Sequence, residues 1–137
     1  MNSKIVNSVI CISESQKNPK RYENLSMCKQ YAKEEEGCNV KDVFKFQYDD
    51  FEQSLKDLMR TLESNPEVNT IIISNWARIS RWLSRIMDFL TALDRRGIAV
   101  YDVSMGKYIT YWDIELSSIL KLTERESVTK RKKRLRA

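Results

Sequence analysis

The chain has 137 residues, the length of one domain, with 24 basic and 19 acidic residues, three cysteines and no histidine. The missing histidine excludes Ser-His-Asp and Cys-His catalytic sites, and without a CxxC pair neither a zinc site nor a disulfide framework has support. No apolar run approaches the roughly 20 residues that cross a bilayer, and the amino terminus lacks a signal-peptide layout, so the expectation is a cytoplasmic protein without a membrane partner.

The elements alternate along the chain. Ile5–Ile12 reads as a strand, followed by a polar loop from Ser13 to Asn18. Pro19 opens a helix to about Glu36, with Leu25, Cys28, Tyr31 and Ala32 on its apolar side and Gly37 as its stop. Val40–Phe46 is a second strand. Asp49 or Asp50 caps a helix to about Ser64, in which Phe51, Leu55, Leu58 and Leu62 recur at helical spacing. Asn65-Pro66 breaks it, and Val68–Ile73 follows as a third strand.

That third strand ends in Ile71-Ile72-Ile73, a run suited to a strand covered on both faces of a parallel sheet. Ser74-Asn75 breaks it off, and Arg78 and Arg81 follow three residues apart at a predicted helix start. Function collects at the carboxyl ends of strands in open α/β sheets. Two guanidiniums there, on neighbouring turns of one helix face, suit a phosphate gripped by forked hydrogen bonds; solvated or ion-paired arginines remain the alternative. Trp76 and Trp82 flank the pair, as core or as contact surface.

From about Ile79 a helix carries Leu83, Ile86, Leu90 and Leu93 on one face, and Gly97 ends it. Ile98–Val103 is the fourth strand, and Lys107–Trp112 is a short fifth strand or an irregular connection. Asp113 caps a last helix that continues to the carboxyl terminus. The βαβαβαβ order predicts an α/β fold, a mostly parallel four- to five-stranded sheet flanked by helices.

The net charge of +5 is local. Residues 130–137 hold six of the basic residues and no acidic one, which leaves 18 basic against 19 acidic in the rest. Such a tail points to an acidic partner, nucleic acid before an anionic membrane, with a solubilising tail as the alternative. The last helix offers Ile114, Ile119, Leu120, Leu122 and Val128 as an apolar face, which then gives way to a wholly basic end. A helix running off its own domain buries that face against something, often a second copy.

In sum the chain resembles the catalytic domain of serine recombinases, the resolvase and invertase family. The family opens with a strand of pattern Tyr-x-Arg-Val-Ser, here Val9-Ile10-Cys11-Ile12-Ser13, followed by Gln16 in its loop. Its third strand leads to Asp-Arg-Leu-x-Arg, here Ala77-Arg78-Ile79-Ser80-Arg81. Its final helix carries a Glu-Arg-Glu segment, here Glu124-Arg125-Glu126, with Arg131 beyond. The resemblance implies a resolvase-like domain over residues 1–112 and a long carboxyl-terminal helix over 113–137 that forms a homodimer or tetramer and contacts DNA. Ser13 would be the nucleophile, with Arg78 and Arg81 holding the phosphate. Gln16, Arg125, Lys130, Arg131, Lys132, Lys133, Arg134 and Arg136 would be DNA contacts.

The chemistry so implied is strand cleavage and rejoining through a 5′-phosphoserine, with no metal or nucleotide cofactor. Three departures set the alternative, a weakened or inactive relative that binds DNA or partner subunits as a regulator. Cys11 stands where the family has arginine, Ala77 where it has aspartate, and Tyr48-Asp49-Asp50 where it has a glycine-bearing loop and an arginine. An unrelated flavodoxin-like binding domain is the third reading, weakened by the lack of a glycine-rich phosphate loop.

Overall fold

Val9, Ile10, Cys11 and Ile12 are all buried, so the first strand, β1 (Val6–Glu14), is covered on both faces. The computed structural model describes residues 5–14, 21–47, 49–80 and 82–114. After β1 come α1 (Arg21–Glu34), β2 (Cys38–Gln47), α2 (Phe51–Ser64), β3 (Thr70–Ile73), α3 (Trp76–Ile79), α4 (Leu83–Arg95), β4 (Ala99–Asp102) and β5 (Lys107–Ile109). The sheet runs in the order β2-β1-β3-β4-β5. Its first four strands are parallel, and β5 pairs antiparallel to β4.

Successive side chains of a strand face opposite ways, and β1 divides them between two clusters. Ile10 and Ile12 meet Cys28 and Ala32 of α1, together with Ile72. Val9 and Cys11 meet Phe51, Leu58 and Leu62 of α2, Ile79 of α3, and Ile86, Phe89 and Leu93 of α4. A single helix therefore covers one face, and α2, α3 and α4 cover the other. The triple isoleucine of β3 lies at the sheet's centre, buried at every position as a doubly covered strand requires.

The ends of the elements follow local chemistry. Asp50 caps α2, accepting from the Gln53 backbone N–H at 3.4 Å. Gly97, at φ +70°, ends α4 in the left-handed conformation, and the Ile98 N–H bonds to the Leu93 carbonyl at 3.0 Å. A helical turn, residues 111–114, follows β5. Thr110 opens it, and Asp113 reaches back to accept from the Thr110 N–H at 2.7 Å and from Lys107 Nζ at 2.9 Å. Asp113 is therefore an early residue of that turn and not its cap.

Three further expectations change. β1 runs on to Glu14, so Ser13 is a strand residue paired with Phe46 and not the first of a loop. The strand lengthens because β2 extends to Gln47 and supplies the pairing. β2 also carries a bulge: Ser8 pairs with Val40 and Val9 with Asp42, leaving Lys41 over. That breaks the alternation, and Val40 is exposed. Finally, the helix expected from Ile79 is two helices. α3 stops at Ile79, and Ser80 is extended at φ −158°, ψ 152° before α4. The long carboxyl-terminal helix, and with it most of the 113–137 segment, lies outside the described residues. Among the described residues no helix is long and apolar enough to cross a membrane.

Candidate functional site

The order β2-β1-β3-β4-β5 fixes where a site can form. The chain leaves β1 for β2 on one side and β3 for β4 on the other, so their carboxyl ends open a crevice between the two departures. Ser13 stands at that end of β1, 7% exposed. By strand alternation it shares the Val9 and Cys11 face, the face on which α3 packs. α3 begins two residues after β3 and carries Arg78, which is exposed to solvent. Sequence and topology thus bring Ser13 and Arg78 to one edge of the sheet.

α3 has only four residues, so its orientation depends on what holds its ends. Asn75 caps it, its side-chain Oδ1 accepting from the Ala77 N–H at 3.0 Å. The Arg78 N–H bonds to the Asn75 carbonyl at 3.0 Å. Asp102, at the end of β4, is wholly buried; its Oδ2 accepts from the Trp76 N–H at 2.8 Å and its Oδ1 from the Met105 N–H at 3.0 Å. Burial raises its carboxyl above the usual aspartate range, against the lowering effect of its bonds to the Met105, Trp76 and Ser104 backbone. α3 thus meets a carboxylate from β4, although position 77, where the family pattern has aspartate, holds alanine.

Beside α3 lies a cavity of about 390 Å³, lined by Ser74, Asn75, Arg78 and Ser104 and, from α1, Glu23, Asn24 and Met27. Its walls carry one guanidinium, hydroxyls and amides, the donor set that suits a phosphate oxygen, with Glu23 opposing. Ser13 is not among its lining residues. Among the described residues no carboxylate pairs with Arg78.

Two of the positions that depart from the family pattern, Cys11 and Asp50, have structural employment. Cys11 points into the core beneath α2 and α4, and burial drives its thiol far above the ordinary cysteine range, so it is no nucleophile. Cys28 is likewise pushed up to about 12 by burial. Asp50 is the α2 cap, and Asp49 beside it is exposed. α3 ends at Ile79, one residue past Arg78; Arg81 lies outside the described residues, as do Gln16, Arg125, Lys130, Arg131, Lys132, Lys133, Arg134 and Arg136.

No family model matches the sequence, and no curated protein matches it. Solved structures do. The N-terminal catalytic domain of TP901-1 integrase superposes with a TM-score of 0.66 at 16% identity, over 88% of this chain and 97% of that one. A resolvase family site-specific recombinase from Streptococcus pneumoniae gives 0.63 at 13% identity, over 90% and 91%. The C-terminal catalytic domain of ISC1926 TnpA, an IS607-like serine recombinase, gives 0.57 at 17% identity, over 72% and 69%.

The fold is that of serine recombinase catalytic domains.

Within this resolvase-like domain, reasoning from sequence singled out Ser13 and Arg78 but not Asp102, Ser74, Asn75 or Ser104 as neighbours at this edge. Asp102 had a legible signal: a carboxylate directly after the apolar residues of a predicted strand is either exposed at its end or buried with partners. Nothing in the chain marks Ser104 or Glu23 as neighbours of Arg78, because the cavity joins segments far apart in sequence.

Proposed function

We propose that the protein cleaves and rejoins DNA strands by serine-recombinase chemistry, with Ser13 as nucleophile. The observation that carries this reading is Ser13 at the carboxyl end of β1, at the same edge of the sheet as an exposed Arg78 of α3 that pairs with no carboxylate among the described residues, in a fold shared with serine recombinase catalytic domains. In the reaction Ser13 Oγ bonds to the phosphorus of a phosphodiester and the bond to the 3′-oxygen breaks. The proton lost by the serine ends on the released 3′-hydroxyl, and the 5′ end stays on the protein as a phosphoserine ester. The reverse attack by another 3′-hydroxyl rejoins the strand. Arg78, with Arg81, holds the phosphate and offsets charge in the transition state. Lys130 to Arg136 supply affinity for the DNA backbone that does not depend on base sequence. The 113–137 segment joins subunits into a dimer or tetramer.

A second reading has observations of its own. Cys11 is committed to the core, and Asp49 and Asp50 put negative charge at the β2–α2 connection, beyond the strand end that pairs with Ser13. Both weaken a phosphate site and favour a relative that binds DNA or partner subunits without cutting.

A covalent-adduct assay decides between them. The protein and S13A are mixed with labelled DNA from its own genetic neighbourhood and quenched in detergent. A detergent-stable adduct present in the wild type and lost in S13A supports cleavage. No adduct in either, with equal DNA affinity, supports the regulator.

A further inference from the structure

The start of α4 carries a residue that the fold does not need. Trp82 occupies the capping position of this helix, where serine, threonine, aspartate and asparagine are favoured, and its side chain makes no capping bond. The helix start is held without the indole: the Arg85 and Ile86 N–H groups bond to the Trp82 carbonyl at 3.1 and 3.2 Å. Ser80, itself buried, fixes the backbone here by accepting from the Trp82 N–H through its Oγ at 3.1 Å. The indole is left in solvent at 64% exposure, and Leu83 beside it is 41% exposed. Large apolar side chains grouped in solvent mark contact surfaces.

Location identifies the partner. α3 packs against both β1 and α4, so Trp82 lies on the same edge of the domain as Ser13 and Arg78. An exposed guanidinium and an exposed aromatic, four positions apart in the chain, match the two surfaces of a nucleic acid. The cation meets phosphate and the ring meets the face of a base. Aromatic and apolar wedges at such places enter between base steps and unstack them.

We infer that Trp82 is a DNA-contacting wedge that stacks on a base of the strand held at the site, with Leu83 widening its apolar footprint. The inference rests on the proposed DNA reading. It assigns to Trp82 the base contact and leaves the phosphate to Arg78. Base stacking is insensitive to salt, whereas each phosphate neutralised by a cation contributes to the salt dependence of binding.

The test is the affinity of the full chain for a fluorescein-labelled random-sequence duplex, titrated across salt, for the wild type, W82A, W82F and R78A. W82A is expected to weaken binding about 5- to 150-fold, the equivalent of one lost base stack, with no change in salt slope. W82F, which keeps a ring, is expected to lose much less. R78A is expected to lower the slope by about 0.9, one phosphate's worth. In a second measurement, W76F/W112F leaves Trp82 as the only indole, and the duplex is expected to shield its fluorescence from acrylamide. If W82A binds like the wild type while R78A loses slope, or if the indole stays open to acrylamide, the wedge is wrong and the DNA reading stands. If W82F is as weak as W82A, stacking is wrong. If the wild type binds no duplex, the DNA reading fails and the wedge falls with it.

Discussion

Asp102 Oδ2 accepts the Trp76 backbone N–H at 2.8 Å, and that one bond ties the end of β4 to the first residue of the helix that carries Arg78. The other carboxylate oxygen closes the β4–β5 turn through the Met105 N–H. Both donors lose their partner if the side chain is removed. An unsatisfied buried donor costs about 1–3 kcal/mol, so D102A, which orphans two, is expected to lower stability by about 2–6 kcal/mol. Chemical denaturation of the wild type and D102A measures it. A loss below half a kcal/mol, with binding unchanged, would show that water replaces the carboxylate at no cost.

The same residue has a pH signature. Burial holds the folded carboxyl above the usual aspartate range, so the folded protein keeps a proton that the unfolded chain has already released. The stability this confers is present below the unfolded value, about pH 4, and is lost as pH rises through the raised folded value. D102N cannot titrate. The stability advantage of the wild type over D102N is therefore expected to shrink as pH rises from about 4, read from denaturation midpoints at a series of pH values. An advantage that grows with pH would mean that the backbone donors, not burial, set this carboxyl.

Much of this architecture is legible in the chain, and the exceptions are instructive. Ile71-Ile72-Ile73 announces a central strand because no other element buries three adjacent branched residues so simply. Gly97 announces the end of α4, since only glycine takes a positive φ there freely. Ser13 misleads because Ser-Glu reads as the start of a loop, whereas pairing with Phe46 and Gln47 carries the strand past it; a long-range partner overrides local propensity. The break at Ser80 has no glycine or proline to signal it and depends on that serine being buried to hold the Trp82 N–H. Ser13 and Arg78 emerge from the motif pattern, but their common edge emerges only from strand order. The carboxylate of Asp102 is legible as a strand-end residue, but its hold on α3 emerges only from tertiary structure, because its bond to Trp76 spans 26 residues.

Asp113 is the mirror case to Asp102. Its bond to Lys107, followed by the Thr110 N–H, holds its carboxyl below the usual range. The contribution is present above the unfolded value and is lost as pH falls through the lowered folded one. The pair is partly exposed, so its worth is small, about 0.5 kcal/mol or less, and screened by salt. D113N is expected to lower the thermal midpoint slightly at neutral pH and low salt, with the difference vanishing in acid or in high salt. A difference that survives high salt would assign the effect to the Thr110 bonds alone.

The basic tail makes a prediction about slope. A chain ending after Thr129 loses Lys130 to Arg136, six cations that contact phosphates in the proposed function. Each phosphate released removes about 0.9 from the slope of log affinity against log salt. The truncated chain is expected to bind DNA more weakly and with a slope shallower by up to about 5. Equal slopes for the two chains would leave the tail no part in DNA binding.

Arg78 separates charge from geometry. It is exposed beside a cavity of about 390 Å³ and, among the described residues, has no carboxylate to satisfy it. A guanidinium meets two phosphate oxygens with a planar fork, whereas an ammonium offers the same charge at a single point. R78K keeps the electrostatic attraction, so its salt slope is expected to match the wild type. Stabilisation of a transition state depends on donors aimed at the developing charge, and losing one such donor slows reaction by about 10²–10³. R78K is therefore expected to form the Ser13 adduct about a hundredfold more slowly or worse while binding DNA nearly as well. Stopped adduct-formation time courses beside equilibrium binding make the measurement. Equal rates for R78K and the wild type would reduce Arg78 to a counter-charge and move the phosphate fork to another residue of the site.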